Sequence, residues 1–157
     1  MAKAGMLDNV LRSIKVQLVI TMGIYKECTL KKDAFDAKII KARVKEGKIK
    51  ILGIKDLNLY KKIKDEFSLG MGEAEAIVWC MENKKYLITD DRKAMNACKI
   101  LDISFTTNLN ILATMYRKGK IEESEASIFK ENLKKFGRYS DKVIQDFEED
   151  LKNGKNE

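Results

Sequence analysis

Acids placed at the edges of apolar runs are where chemistry is most legible in this chain. In Leu69 to Asp91, "LGMGEAEAIVWCMENKKYLITDD", Glu73 opens a very apolar segment and a short hydrophobic run ends in Asp90 and Asp91. Glu27 stands upstream in "GIYKECTL". Carboxylates brought together repel one another, and a divalent cation is the simplest neutraliser. Oxygen donors without histidine or thiolate select hard ions, so Glu73, Asp90 and Asp91 are expected to ligate Mg²⁺ or Mn²⁺. Such a metal, open to solvent, generates hydroxide and braces a phosphodiester for in-line attack. Glu73, Asp91 and Asp90 are the catalytic candidates, with Glu27 assisting.

Each acid also has a plainer reading. Asp90 or Asp91 suits the N-cap of a helix beginning at Arg92, and Glu73 suits a first helical turn, where the helix dipole favours an anion. Glu75 points about 200° around a helix from Glu73 and reads as solvated or as a support for the other acids. Glu27 has an uncertain helical register. Arg92 and Lys93 lie beside the expected site and suit a phosphate, whereas the other basic residues are scattered as on a solvated surface.

The elements that must position these residues follow from apolar spacing. Met6, Leu7, Val10, Leu11 and Ile14 predict a helix, and Val16 to Ile20 a buried strand. A helical turn over Ile24 to Cys28 precedes a helix capped by Asp33, with Phe35, Ile39, Ile40 and Val44 inward and Gly47 as its stop. Ile49 to Ile54 is a strand, and Leu59, Ile63 and Phe67 mark a short helix. Gly70 and Gly72 break the chain before a helix from Glu73 to about Glu82. Tyr86 to Thr89 and Ile103 to Thr106 are short strands flanking a helix from Arg92 to Lys99. Helices over about Asn108 to Lys118, Glu122 to Phe136 and Ser140 to Lys152 complete the chain.

Alternating helices and strands predict an α/β fold with a mostly parallel sheet, because parallel strands need crossover connections. Helices then run back against the strands, so their N-termini gather at the strand carboxyl ends. Glu27, Glu73, Asp90 and Asp91 all belong on that edge, where open α/β sheets place their ligands.

Composition bounds the function from outside. The 157 residues suit a single domain over 1–157, with a frayed tail from about 153. No histidine is present, which excludes Ser/His/Asp and Cys/His catalysis, histidine-ligated zinc and a histidine base. Cys28, Cys80 and Cys98 form no CxxC pair and are expected to be reduced core thiols. Asp8, Arg12 and Lys15 interrupt the N-terminal apolar pattern, so a cytoplasmic protein without a membrane span is expected. A net charge of +7 suits a partner that carries phosphates.

The motifs taken together resemble a family. "LGMGEAEAIVWCMENKKYLITDDRKAMNACKILDISFTTNLNILATMYRKGKI" is similar to PIN-domain proteins, in particular to a VapC-like branch with a G-E-A-E-A-I helix, a strand ending in D-D-R and a T-G-T-L-G-I-L turn. "VQLVITMGIYKEC" and the tail "LKKFGRYSDKVIQDFEEDLKNG" extend the likeness to nearly the whole chain. The resemblance implies a three-layer α/β/α fold and metal-dependent ribonuclease activity. It also implies RNA as substrate and an antitoxin-like protein as partner; a homodimer is compatible with it. Glu27, Glu73 and Asp91 take the family's second, third and fourth acidic positions, with Asp90 beside the last.

Two departures qualify that expectation. The family's turn is written here Thr106, Thr107, Asn108, Leu109, Asn110, so both glycines are replaced and Asn108 stands where a hydroxyl contacts the site. Family members also begin with a central strand ending in an aspartate, whereas this chain opens in the following helix, "MAKAGMLDNVL". A first central strand and its aspartate are therefore expected to be missing, leaving a gap between the Val16 and Tyr86 strands. A start upstream of Met1 is the favoured explanation, ahead of a strand from a neighbouring chain or a degenerate remnant. The alternative function is a non-catalytic PIN-like RNA-binding or protein-interaction module. Phosphohydrolase chemistry around "ITDD" ranks third, since it needs a nucleophile after that same strand.

Overall fold

A computed structural model describes residues 1–137 and 139–153. The expected tail from about 153 therefore falls largely outside the described residues. In chain order the elements are α1 (Leu7–Ser13), β1 (Leu18–Thr21), α2 (Met22–Thr29), α3 (Phe35–Lys45), β2 (Ile49–Leu52), α4 (Leu57–Glu66) and α5 (Met71–Asn83). They continue with β3 (Leu87–Ile88), α6 (Arg92–Ile100), β4 (Phe105–Thr106), α7 (Asn108–Arg117), α8 (Glu123–Phe136) and α9 (Asp141–Asn153). This is the expected α/β class, with helical crossovers between short strands.

Two compact units emerge. One comprises residues 16–106 and holds all the described strands; the other joins 1–15 to the segment from 107 onward and is helical. In the helical unit, Met6 and Val10 of α1 share a core with Leu109 and Leu112 of α7, Leu133 of α8 and Phe147 of α9. Glu122 and Glu125 form a capping box that opens α8, and Lys130 joins α8 to α9 through Glu148 at 2.7 Å. That pair and its neighbour Glu131 raise the Lys130 pKa by hydrogen bonding to its ammonium.

In the mixed unit both strand pairings are parallel, β1 with β2 and β3 with β4, and they form two separate two-stranded sheets. Leu18 aligns with Ile49 and Thr21 with Leu52 in one; Leu87 aligns with Phe105 in the other. No described strand joins β1 to β3. What connects the pairs is α5, which packs against both β1 and β3 as well as α2, α4 and α6. Its Ala74, Ile77, Val78 and Cys80 are buried with Ile63 of α4, Leu87 of β3 and Ala94, Ala97 and Cys98 of α6. The helix is apolar nearly all round because it is enclosed on several sides.

Some local expectations are corrected. The N-cap of α3 is Ala34, not Asp33, and makes no side-chain cap. Phe35 is 74% exposed and Ala37 faces inward instead, while Ile40 is buried as expected. Helical period locates a stripe but cannot say which of two adjacent stripes meets the core when small residues compete. Gly72 lies inside the first turn of α5, so Gly70 alone marks the break.

Cys80 and Cys98 are buried free thiols as expected, but Cys28 is exposed on α2. Burial, with Cys98 nearby, pushes the Cys80 thiol up to about 11, and burial raises Cys98 as well. Both therefore stay protonated and unreactive at neutral pH. Titration of the folded protein with a thiol reagent at pH 7.5 should modify Cys28 alone, and denaturant should release the other two. Rapid native labelling of Cys80 or Cys98 would refute this burial.

Candidate acidic site at the strand carboxyl ends

Thr21 ends β1 and caps α2, its hydroxyl accepting the Ile24 N–H at 3.5 Å; it is buried at the junction. After β3, Thr89 and Asp90 lead to Asp91, the N-cap of α6, whose Oδ1 accepts the Ala94 N–H at 2.9 Å. The Asp91 N–H in turn donates to the Thr89 hydroxyl at 3.1 Å, which fixes the turn. The first turns of α2 and α6 thus start directly from strand ends, as the crossover geometry requires.

The N-terminus of α5 is tied to both. Gly72 donates its N–H to Oε1 of Glu27 on α2 at 3.0 Å, and Gly23 of α2 donates its N–H to Oε2 of Glu75 on α5 at 2.7 Å. The two bonds are reciprocal: each helix has a glycine at its second position whose amide is held by a glutamate of the other helix. Both glycines are needed for close approach, because a Cβ on Gly23 would stand 2.8 Å from Glu75 Oε2 and one on Gly72 the same distance from Glu27 Oε2. On the other side, Lys93 of α6 reaches back through its ammonium to the Ser68 carbonyl, just before α5, at 3.1 Å.

The acids are therefore compensated by helix N-termini. The Glu75 carboxylate of α5 accepts a first-turn amide of α2, the Glu27 carboxylate of α2 one of α5, and Asp91 one of α6, while the Glu73 carboxylate turns back over Gly70, the N-cap of its own helix. First-turn amides have no partner within the helix, and the dipole adds partial positive charge, so carboxylates are stabilised there without a cation. Asp90, half-buried, links β3 to this cap.

The structure thus gathers Glu27 and Glu73 at one helix end, joins that end to α6 through Lys93, and seats Asp91 at the start of α6. Arg92 is exposed beside it. Asn108 begins α7 in the helical unit. Glu75 was the residue underestimated from sequence, since its partner lies 52 positions away.

A divalent cation does not fit this arrangement. Oxygen donors of the right hardness are present, but among the described residues no three Asp, Glu or Cys side chains are grouped to hold one ion. Glu27 and Asp91 each direct an oxygen at a helix amide instead. Among the described residues, no helix is long and apolar enough to cross a membrane.

A family model, DUF3368, described as a PIN domain, matches residues 1–153. No curated protein matches the chain.

Proposed function

The chain belongs to the PIN-domain family, whose fold is of a nuclease type, and on that premise we propose that it is a ribonuclease hydrolysing RNA phosphodiesters. The observation that carries this reading is the packing of α2, α5 and α6 together, with Glu27 in the last turn of α2 held at the start of α5, Glu73 in the first turn of α5 and Asp91 capping α6. Arg92 and Lys93, both exposed, add positive charge for a phosphate beside α6. The overall charge of +7 favours encounter with a polyanion.

In this proposal the RNA phosphate lies against the start of α6 with Arg92. Glu73, half-buried at the first turn of α5, accepts a proton from the water that attacks phosphorus. The leaving oxygen takes its proton from solvent. Asp90 and Asp91 orient that water and the backbone turn around it. Mg²⁺ or Mn²⁺ is the family's usual cofactor, but the carboxylates as placed among the described residues do not form its ligand set.

A second reading, a non-catalytic RNA-binding module, is favoured by the same absence of a three-carboxylate group among the described residues. Two assays separate the readings: cleavage of labelled single-stranded RNA, with and without Mn²⁺, and binding of the same RNA. Ribonuclease action predicts RNA cleavage that Glu73→Gln lowers by about 100-fold or more. RNA binding without cleavage would replace it with the second reading.

A further inference from the structure

We propose that Glu75 is a positioning residue for the acidic site: by holding Gly23, it fixes α2 so that Glu27 remains at the N-terminus of α5 beside Glu73. Its catalytic consequence rests on the ribonuclease reading. The argument starts from the pair of bonds, Glu75 to Gly23 and Glu27 to Gly72. Glu27 lies one helical turn after Gly23 on α2, and Glu75 lies one turn after Gly72 on α5. Each helix therefore offers one amide and one carboxylate to the other. The four groups close a rectangle, and a rotation of α2 that breaks one side must displace the opposite side.

Glycine at both amide positions supports a specific fit. The Glu75 carboxyl carbon would lie 2.9 Å from a Cβ on Gly23, and the Glu27 carboxyl carbon 3.1 Å from one on Gly72. The first distance requires the carboxylate to shift and the second is tighter than ordinary packing, so a side chain at either position would press on the carboxylate that faces it. Glu75 is half-buried between the buried Ala74 and Ala76, whereas Glu27 is exposed, so Glu75 is the better-anchored member.

The test uses amide hydrogen exchange of Gly23 and Gly72 together with RNA cleavage rates. Glu75→Ala is expected to expose both amides, although Glu75 touches only Gly23, and to lower kcat by about 10- to 100-fold with KM little changed. Glu75→Gln retains an oxygen acceptor, and should keep Gly72 protected and most of kcat. Protection of Gly72 unchanged in Glu75→Ala would overturn the proposal. If Glu75→Ala does not fold by circular dichroism, Gly23→Ala replaces it, since its Cβ pushes the same carboxylate aside; Gly72 protection unchanged there overturns the proposal equally. Failure of the parent to cleave RNA removes the ribonuclease reading, while the two amides still decide whether Glu75 holds Glu27 in place.

Discussion

Asp91→Asn should fold as stably as the parent to within a few tenths of a kcal/mol and lose RNA cleavage by about 100-fold or more. Asparagine caps a helix about as well as aspartate, and its side-chain oxygen can keep the 2.9 Å bond from the Ala94 N–H. Only the negative charge is removed, along with a small favourable interaction with the dipole of α6. Asp91→Ala removes the cap as well, at a cost of about 1 kcal/mol. Thermal melts and cleavage rates on the same three proteins therefore separate two roles that one carboxylate can combine. Full cleavage by Asp91→Asn would reduce Asp91 to a cap and withdraw it from the catalytic set.

The contrast matters because the plain readings of Asp91 as a helix cap and of Glu73 as a first-turn acid are visible in the structure. Charge on Asp91, Glu27, Glu73 and Glu75 faces the positive ends of helices, in the place where a cation was expected from the residues alone. A helix N-terminus and a divalent ion are both positive, and acids at the start of a helix look the same in sequence whichever one they meet. Spacing could bring Glu73 and Asp91 to one edge of the fold. It could not say what would stand opposite them.

Other features were legible for a clear physical reason. The four-residue steps of Leu59, Ile63 and Phe67 and the apolar run of "EAEAIVWCM" have a local period, and local period survives folding. Parallel pairing followed from the alternation of elements. Less accessible was the partner of Glu75, which depends on a glycine 52 residues earlier and on the absence of a Cβ there. Phe35 was misplaced because Ala37, smaller and less conspicuous, makes the inward contact on α3. Long-range partners and small buried residues carry little signal in a single sequence, although the Gly23 and Gly72 positions, each at the second residue of a helix, were a usable hint.

Ile77→Ala should produce the largest loss of stability, about 2–5 kcal/mol, against roughly 0.5–1.5 kcal/mol for Ile77→Val. Ile77 is fully buried in α5, the helix on which both strand pairs of the mixed unit pack. With no described strand between β1 and β3, this helix supplies the contact that a continuous sheet would otherwise provide, so a cavity in it weakens both pairs. Total stability of a natural domain is on the order of 5–15 kcal/mol, which makes such a loss visible as a large fall in the urea midpoint. A cost below about 1 kcal/mol would show that α5 is not the keystone of this unit. Ile77 also lies one turn beyond Glu73 on the same helix, and that separates two kinds of inactivity. Cleavage lost through Ile77→Ala should follow the unfolded fraction and return when a stabilising osmolyte refolds the protein. Cleavage lost through Glu73→Gln should not return, because there the fold is intact and the proton acceptor is gone.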